Sequence, residues 1–224
     1  MTEKITFYER ILKENNIKDL LNPPTTKNYS SLVIKENFIY VPSINLYVAK
    51  EKIMHGLDWH NTHKELAKEK DRRMPLIYEE TEFIKYLLAN PNGTKDASKD
   101  EIQTITNEIL EKRNPWRAEH LDAYFEQRDD GMYLLTKNKS IENKLDAPIM
   151  EDCYVELSFN NQGMPIKKSS NQDYNQGKNI FHYYPRAERV AGLGVNSGGA
   201  CLICSWYSAN SDSSLGVRPV SQRG

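Results

Sequence analysis

The sequence lacks three features that would point directly to a function. Its 30 basic and 31 acidic side chains leave a net charge of -1, without the basic surplus of most nucleic-acid-binding proteins. No apolar run reaches the roughly 18 residues that a membrane-spanning helix needs. Three cysteines are too few, and odd in number, for a disulfide framework. We therefore expect no nucleic acid as a partner and no insertion into a membrane.

The beginning of the chain also lacks the pattern of a secretory signal. Met1 to Ile5 lead into charged, amphipathic sequence rather than into an apolar segment. We expect synthesis in a reducing cytoplasm, which fits the odd number of cysteines, and leave open whether the product is assembled on a virion or a cell surface.

Charge is missing from one segment near the C-terminus. Charged residues make up 27% of the chain, yet Asp212 is the only one between Val190 and Val217. The same segment holds five of the eleven glycines and six serines, together with Trp206 and Tyr207. This segment is therefore the first place to look for function.

The hydrophobic pattern predicts helices in the first half of the chain and short strands in the second. Amphipathic periodicity predicts helices over residues 5–21, 58–70, 78–89 and 99–112. A capping box of Ser98 and Glu101 opens the last of these. β-rich runs predict strands over 32–34, 38–41, 46–49, 121–126, 132–136, 154–159 and 164–167, and a polar surface loop is expected over 168–180. Elements segregated in this way predict an α+β fold.

Two motifs could carry metal or redox chemistry, and both have a simpler explanation. Cys201 and Cys204 have the C-x-x-C spacing of redox and zinc motifs, but no second pair of ligands lies nearby and the segment has strand character. His60 and His63 share one face of a predicted helix, but the glutamate of a metalloprotease motif is absent. We expect neither a metal nor a cofactor.

Two segments together resemble a known family. Residues 73–83 read R-M-P-L-I-Y-E-E-T-E-F and resemble the R-[LM]-P-T-x-x-E-(W/F) segment that opens the second helix of C-type-lectin-fold proteins, including the formylglycine-generating-enzyme-like branch. Residues 210–220 read N-S-D-S-S-L-G-V-R-P-V and are similar to the closing N-x-x-x-(I/L)-G-(F/V/A)-R strand of that branch. The stretch from Arg189 to Arg218 looks closest to the variable region of target proteins of archaeal diversity-generating retroelements, including a variable protein of an archaeal virus.

The resemblance implies a single C-type-lectin-like domain over residues 1–224, with two or more helices packed on short antiparallel strands and much irregular loop. Residues 1–50 would be an N-terminal helix and meander extension, and residues 190–218 the variable region. In such systems an error-prone reverse transcriptase substitutes template adenines, so that asparagine-like codons come to encode many residue types. The scaffold positions between them stay constant.

The family pattern divides this region into two sets of positions. Those that match the constant pattern are Val190, Ala191, Ser197, Ala200, Leu202, Cys204, Leu215, Gly216, Val217 and Arg218. Those that look variable, and are the candidate ligand-binding residues, are Gly192, Gly194, Asn196, Gly198, Gly199, Cys201, Ile203, Ser205, Trp206, Tyr207, Asn210 and Asp212.

Strand alternation adds a geometric expectation to this division. Ala200, Leu202 and Cys204 should face inward, while Cys201, Ile203 and Ser205 should be displayed. Trp206 departs from the family pattern, because an asparagine codon does not readily yield tryptophan.

The resemblance therefore implies a non-enzymatic ligand-binding protein that displays a diversified surface. Tyrosine, serine, glycine and asparagine suit adaptable recognition, and the expected ligand is a protein or glycan on a host or neighbouring cell. The enzyme branch of the family supplies the alternative, a cysteine-dependent oxidase of the formylglycine-generating type, with Cys201 and Cys204 as its only close cysteine pair. The oligomeric state is not predicted.

Overall fold

Two sheets dominate the part of the chain that the structure, a computed structural model, describes, namely residues 36–69 and 71–222. The helices in these residues are α1 (Trp59–Leu66), α2 (Ile77–Ala89) and α3 (Lys99–Leu110). The strands are β1 (Phe38–Val41), β2 (Leu46–Ala49), β3 (Arg72–Arg73), β4 (Arg117–Arg128), β5 (Gly131–Leu135), β6 (Glu142–Lys144), β7 (Cys153–Glu156), β8 (Asn179–Tyr183), β9 (Arg189–Asn196), β10 (Gly199–Trp206), β11 (Leu215–Gly216) and β12 (Val220–Ser221). The α+β prediction is confirmed. The helix predicted over 5–21 and the strand predicted over 32–34 lie outside the described residues.

The strands form one four-stranded and one eight-stranded sheet. The first has the order β1-β2-β12-β3, and the second the order β6-β5-β4-β9-β10-β8-β7 with β11 beside β4. Most neighbouring strands are antiparallel, as expected, but β10 runs parallel to β8 and β11 runs parallel to β4. The expectation of antiparallel strands is wrong for these two pairs.

Helix termini follow the local sequence signals. The Ser98 hydroxyl accepts a hydrogen bond from the Glu101 N–H at 3.3 Å, and the Glu101 carboxylate accepts one from the Ser98 N–H at 2.8 Å. The predicted capping box is therefore confirmed. At the start of α1, the Asp58 carboxylate accepts the Asn61 N–H at 2.8 Å in the same way.

Two predictions between residues 154 and 180 are wrong. Residues 164–167 form no strand and make one isolated bridge, that of Pro165 with Phe159, because proline has no N–H to donate to a ladder. The polar loop ends earlier than predicted, since β8 begins at Asn179. The buried Asn179 amide closes that loop by donating to the Asp173 carbonyl at 2.9 Å and accepting from the Asn175 N–H at 2.7 Å.

The main core lies between the helices and the eight-stranded sheet. Phe83 of α2, Ile102 of α3, Leu193 of β9 and Leu202 of β10 belong to one buried cluster. Among the described residues the longest helix has 13 residues, and none has the length and apolar character needed to cross a bilayer.

Candidate functional site

The charge-free segment forms a β-hairpin in the middle of the large sheet. Strands β9 and β10 pair with each other, and their outer neighbours are β4 and β8. At the turn, Asn196 pairs with Gly199, whose φ of +118° is a conformation that favours glycine. The region predicted to be variable therefore lies largely on central strands of the sheet, and its loops are the hairpin turn and the segment 207–214 between β10 and β11.

Residues that match the constant pattern are the ones that the structure buries. Ala200, Leu202 and Cys204 point into the main core, as the alternation predicts. Ser197 is the exception, because it lies exposed in the hairpin turn. The other buried members of the set are Val190, Ala191, Leu215, Gly216, Val217 and Arg218.

Most residues predicted to be variable reach the surface. The exposed ones are Asn196, Gly198, Tyr207 and Asp212. The partly exposed ones are Ile203, Ser205, Trp206 and Asn210. The four that the structure buries are Gly192, Gly194, Gly199 and Cys201.

The burial of these four corrects the expectation that all twelve positions are displayed. Cys201 is only 4% exposed, because it lies between Gly194 of β9 and Phe181 of β8 and its thiol donates to the Gly194 carbonyl at 3.4 Å. A side chain at Gly199 would collide with the ring of Tyr174. Alternation identifies the two faces of a strand, but it does not show what covers the outer one.

Five of the surface residues converge on a single groove of about 430 Å³. Its lining residues are Trp116, Val195, Asn196, Ile203, Trp206, Asn210, Ser211 and Asp212. Strand β9 contributes the Val195 side of the groove, β10 contributes Ile203 and Trp206, and the following loop contributes the amide, hydroxyl and carboxylate groups. Aromatic and aliphatic surface combined with polar groups that can orient a ligand is typical of a ligand site.

Trp116 is the groove residue that sequence reasoning missed. It directly precedes β4, is 37% exposed, and its ring centroid lies 6.1 Å from that of Trp206 at an interplanar angle of 67°. This edge-to-face arrangement leaves aromatic surface open to a ligand. An exposed tryptophan beside a strand is a usable signal, but only the fold shows that β4 brings it to Trp206.

A second aromatic feature lies next to the groove. Tyr207 follows Trp206 and is 61% exposed, and the Arg189 guanidinium carbon lies 3.8 Å from the centroid of its ring. The pair is a cation–π contact within the surface formed by the predicted variable residues.

Arg218 anchors the segment that closes the variable region. Its guanidinium is fully buried and donates to both carboxylate oxygens of Glu119, at 3.2 and 3.1 Å. It also donates to the Glu108 carboxylate at 3.0 Å and to the backbone carbonyls of Ala49 and Lys50. One side chain thus joins β4, α3 and the end of β2.

Glu80 lies in the same buried region, although acidic residues in the first turn of a helix are more often exposed. Neither of its carboxylate oxygens has a hydrogen-bond partner among the described residues. Burial, followed by the charge of Glu119, raises the pKa of Glu80 to about 8, against the opposing effect of Arg218 and Lys52. At neutral pH the fold therefore favours a protonated Glu80.

The geometry of the cysteines does not favour thiol chemistry at the C-x-x-C motif. Cys201 and Cys204 are both free and buried, and they lie on opposite faces of β10. Burial raises the pKa of Cys201 to about 12 and raises that of Cys204 further. Both thiols stay protonated at neutral pH, whereas the thiolate is the nucleophilic form.

The two histidines of the predicted helix have different surroundings, because His60 is exposed whereas His63 is buried. His63 is buried, its Nε2 lies 3.2 Å from the Asp122 carboxylate, and its ring packs edge-on against Trp59 with centroids 4.3 Å apart. Asp122 also accepts the backbone N–H groups of Lys137 and Asn138 at 2.8 and 2.9 Å. These contacts give His63 a packing role, although neither of its ring nitrogens makes a hydrogen bond among the described residues.

A larger groove of about 1050 Å³ runs beside α3, and several of its charged side chains are paired with one another. Lys50 lies 2.8 Å from Glu101, and both Lys52 and Arg117 contact Glu108, at 3.5 and 3.2 Å. The groove between Trp116 and Trp206, hereafter the tryptophan groove, is lined by five of the predicted variable residues and is the stronger candidate site.

Comparison with models of protein families, with curated proteins and with solved structures finds no match for this chain.

Proposed function

We propose that this protein is a non-enzymatic ligand-binding protein whose C-terminal region displays a retroelement-diversified surface. In this proposal the fold is a C-type lectin fold. Two features support it: the helices pack on mainly antiparallel strands, and the connections are long and irregular. The ligand is a protein or glycan on a host or neighbouring cell, and the binding face is the tryptophan groove with its surrounding loop residues.

The observation that carries the proposal is the separation of two residue sets within one short segment. Leu202 and Cys204 have no exposed surface, whereas Ile203 and Ser205, which alternate with them along β10, are partly exposed. A Leu-to-Ala change in a core costs about 2–5 kcal/mol, so only positions outside the core tolerate free substitution. Nine of the ten constant-pattern positions are buried, and eight of the twelve variable-pattern positions are exposed or partly exposed.

The structure also refines which positions could vary. The side chains of Asn196, Tyr207 and Asp212 are exposed, so a larger side chain at these positions can extend into solvent. Gly192 and Gly199 cannot do so without displacing the rings of Trp206 and Tyr174. We expect variation to concentrate at the eight surface positions and to be restricted at the four buried ones.

Sequencing of independent isolates tests the proposal. A near-identical copy of the segment that encodes residues 190–218 should lie beside a reverse transcriptase gene, with asparagine codons at the surface positions. Amino-acid differences should concentrate there, and the segment over 117–135 serves as the internal control. If the surface positions vary no more than Leu215 to Arg218, the proposal is wrong.

Binding is tested with two matched libraries on the full chain. One randomises Asn196, Ile203, Ser205, Asn210 and Asp212, and the other randomises the buried Val190, Ala200, Leu202, Cys204 and Val217. Selection against unrelated proteins should yield folded binders from the first library and few folded clones from the second. Equal yields of folded binders from both would contradict a division into scaffold and display positions.

A further inference from the structure

The charge and electrostatic potential of the tryptophan groove are negative. Of its eight lining residues only Asp212 is ionisable, and the others are two tryptophans, an isoleucine, two asparagines, a serine and Val195, whose side chain belongs to the main core. An aromatic face carries a negative electrostatic potential, so the indoles and the carboxylate act in the same sense. The groove is therefore complementary to a positive group rather than to a negative one.

The Asp212 carboxylate is held in place but keeps acceptor capacity. Its Oδ1 accepts the Ser214 N–H at 2.7 Å, and its backbone carbonyl accepts the Leu215 N–H at 2.9 Å, where β11 begins. No lysine or arginine in the described ranges forms an ion pair with Asp212, and its side chain is exposed. Its Oδ2 is thus available to a cation that enters the groove.

Tyr207, which follows Trp206 in the chain, already makes a cation–π contact within the protein. The Arg189 guanidinium lies over the exposed ring of Tyr207, with 3.8 Å between its central carbon and the ring centroid. Tryptophan is a better partner than tyrosine for this contact. The neighbouring pair of Trp116 and Trp206 has aromatic surface of the same kind, and no lysine or arginine among residues 36–69 and 71–222 lies over it.

We propose that the groove between Trp116 and Trp206 binds an arginine or lysine side chain presented by a protein partner. The cation packs against the indoles, its aliphatic stem lies along Ile203, and Asp212 receives its N–H groups. The inference rests on the proposed binding function and assigns its ligand class. A volume of about 430 Å³ accommodates one long side chain and part of the backbone that carries it.

Indole NMR signals test the proposal directly. The chain has three tryptophans, and Trp59 is a buried internal reference whose Nε1–H donates to the Leu121 carbonyl at 2.8 Å. The probes are the Nα-acetyl methylamides of arginine, lysine, norleucine and glutamate, together with methyl β-D-galactopyranoside and methyl β-D-glucopyranoside. The arginine and lysine probes should shift the signals of Trp116 and Trp206, with millimolar dissociation constants, and leave that of Trp59 unchanged.

Two variants complete the experiment. Asp212→Asn keeps the acceptor for the Ser214 N–H but removes the charge. It should raise the dissociation constant of the arginine probe by about tenfold. Asp129→Asn, an exposed change in the β4–β5 turn, should leave binding unchanged.

Four outcomes overturn the proposal. They are equal binding of norleucine and lysine, unchanged arginine binding in Asp212→Asn, shifts caused by a glycoside and not by the cations, and no shift with any probe. The variation among isolates decides the proposed function separately. If the groove prefers a sugar and the surface positions vary among isolates, the proposed ligand class is wrong but the proposed function stands.

Discussion

The indole ring of Trp206 occupies the space that a side chain at Gly192 would need. A Cβ built at Gly192 would collide with the six-membered part of that ring and would lie 2.9 Å from the Glu119 carbonyl oxygen. A β-bulge between Ile203 and Trp206 shifts the register of β10 against β9 and places the ring there. Two positions of the predicted variable set are therefore coupled, because only a small residue at 192 allows this position of Trp206.

Gly192→Ala should destabilise the protein by about 1–3 kcal/mol, the usual cost of overpacking. Gly194→Ala is the matched control on the same strand, because its Cβ would meet neighbours only at 3.4 Å or more. Urea unfolding measures both. The double variant Gly192→Ala/Trp206→Ser should show a smaller loss than the sum of its single changes, and strict additivity would contradict the contact.

Arg218→Met should be strongly destabilising. The substitution leaves Glu119 buried without its cation, and breaking a buried pair costs about 3–5 kcal/mol. Arg117→Met removes the ion pair of Arg117 with Glu108, whose two side chains are partly exposed, and should cost less than about 1 kcal/mol. Chemical denaturation of the two variants compares them, and similar losses would show that Arg218 does not anchor the closing segment.

Glu80 should make the stability of the protein depend on pH. Its pKa is about 8 in the folded chain against 4.5 for the ordinary side chain, so between these values the folded state binds more protons than the unfolded state. The stabilising contribution of protonated Glu80 is complete below pH 4.5 and is lost as the pH rises towards 8.

Glu80→Gln removes this titration and should gain stability relative to the wild type as the pH rises, by up to about 1.4 kcal/mol per pH unit. The exposed Glu111→Gln is the control and should follow the wild type at every pH. Unfolding free energies at intervals between pH 5 and 9 provide the comparison. A constant difference between Glu80→Gln and the wild type would show that Glu80 does not titrate in this range.

The cysteines should differ in their accessibility to a thiol reagent. Cys153 is partly exposed, whereas Cys201 and Cys204 are buried with raised pKa values. Ellman's reagent should modify one thiol per native chain and three after unfolding, and Cys153→Ser should abolish the native reaction. Rapid native modification of Cys201 would contradict its burial and would revive the oxidase alternative.

The inward face of β10 was predictable because its signal is local. Ala200, Leu202 and Cys204 alternate with other residue types, and a period of two follows directly from strand geometry. The helix start at Ser98 was predictable for the same reason, since a capping box involves residues only three positions apart.

Other parts of the site depend on contacts between distant segments. Trp116 reaches the groove because β4 pairs with β9, and no local pattern encodes that pairing. Glu80 reads as a favourable acid in a first helical turn, and its burial follows from the placement of Arg218 and Glu119 beside α2. The burial of Cys201 likewise depends on which strands flank β10.

Completion of the fold depends on β12, which follows the β9–β10 hairpin in the chain. This strand inserts between β2 and β3, with Val220 opposite both Val48 and Arg73, and the buried Arg218 lies just before it. A chain that stops early or shifts frame between residues 190 and 217 lacks both the central strand of the small sheet and the anchor of the large one. Such a product cannot complete either sheet and is expected to misfold.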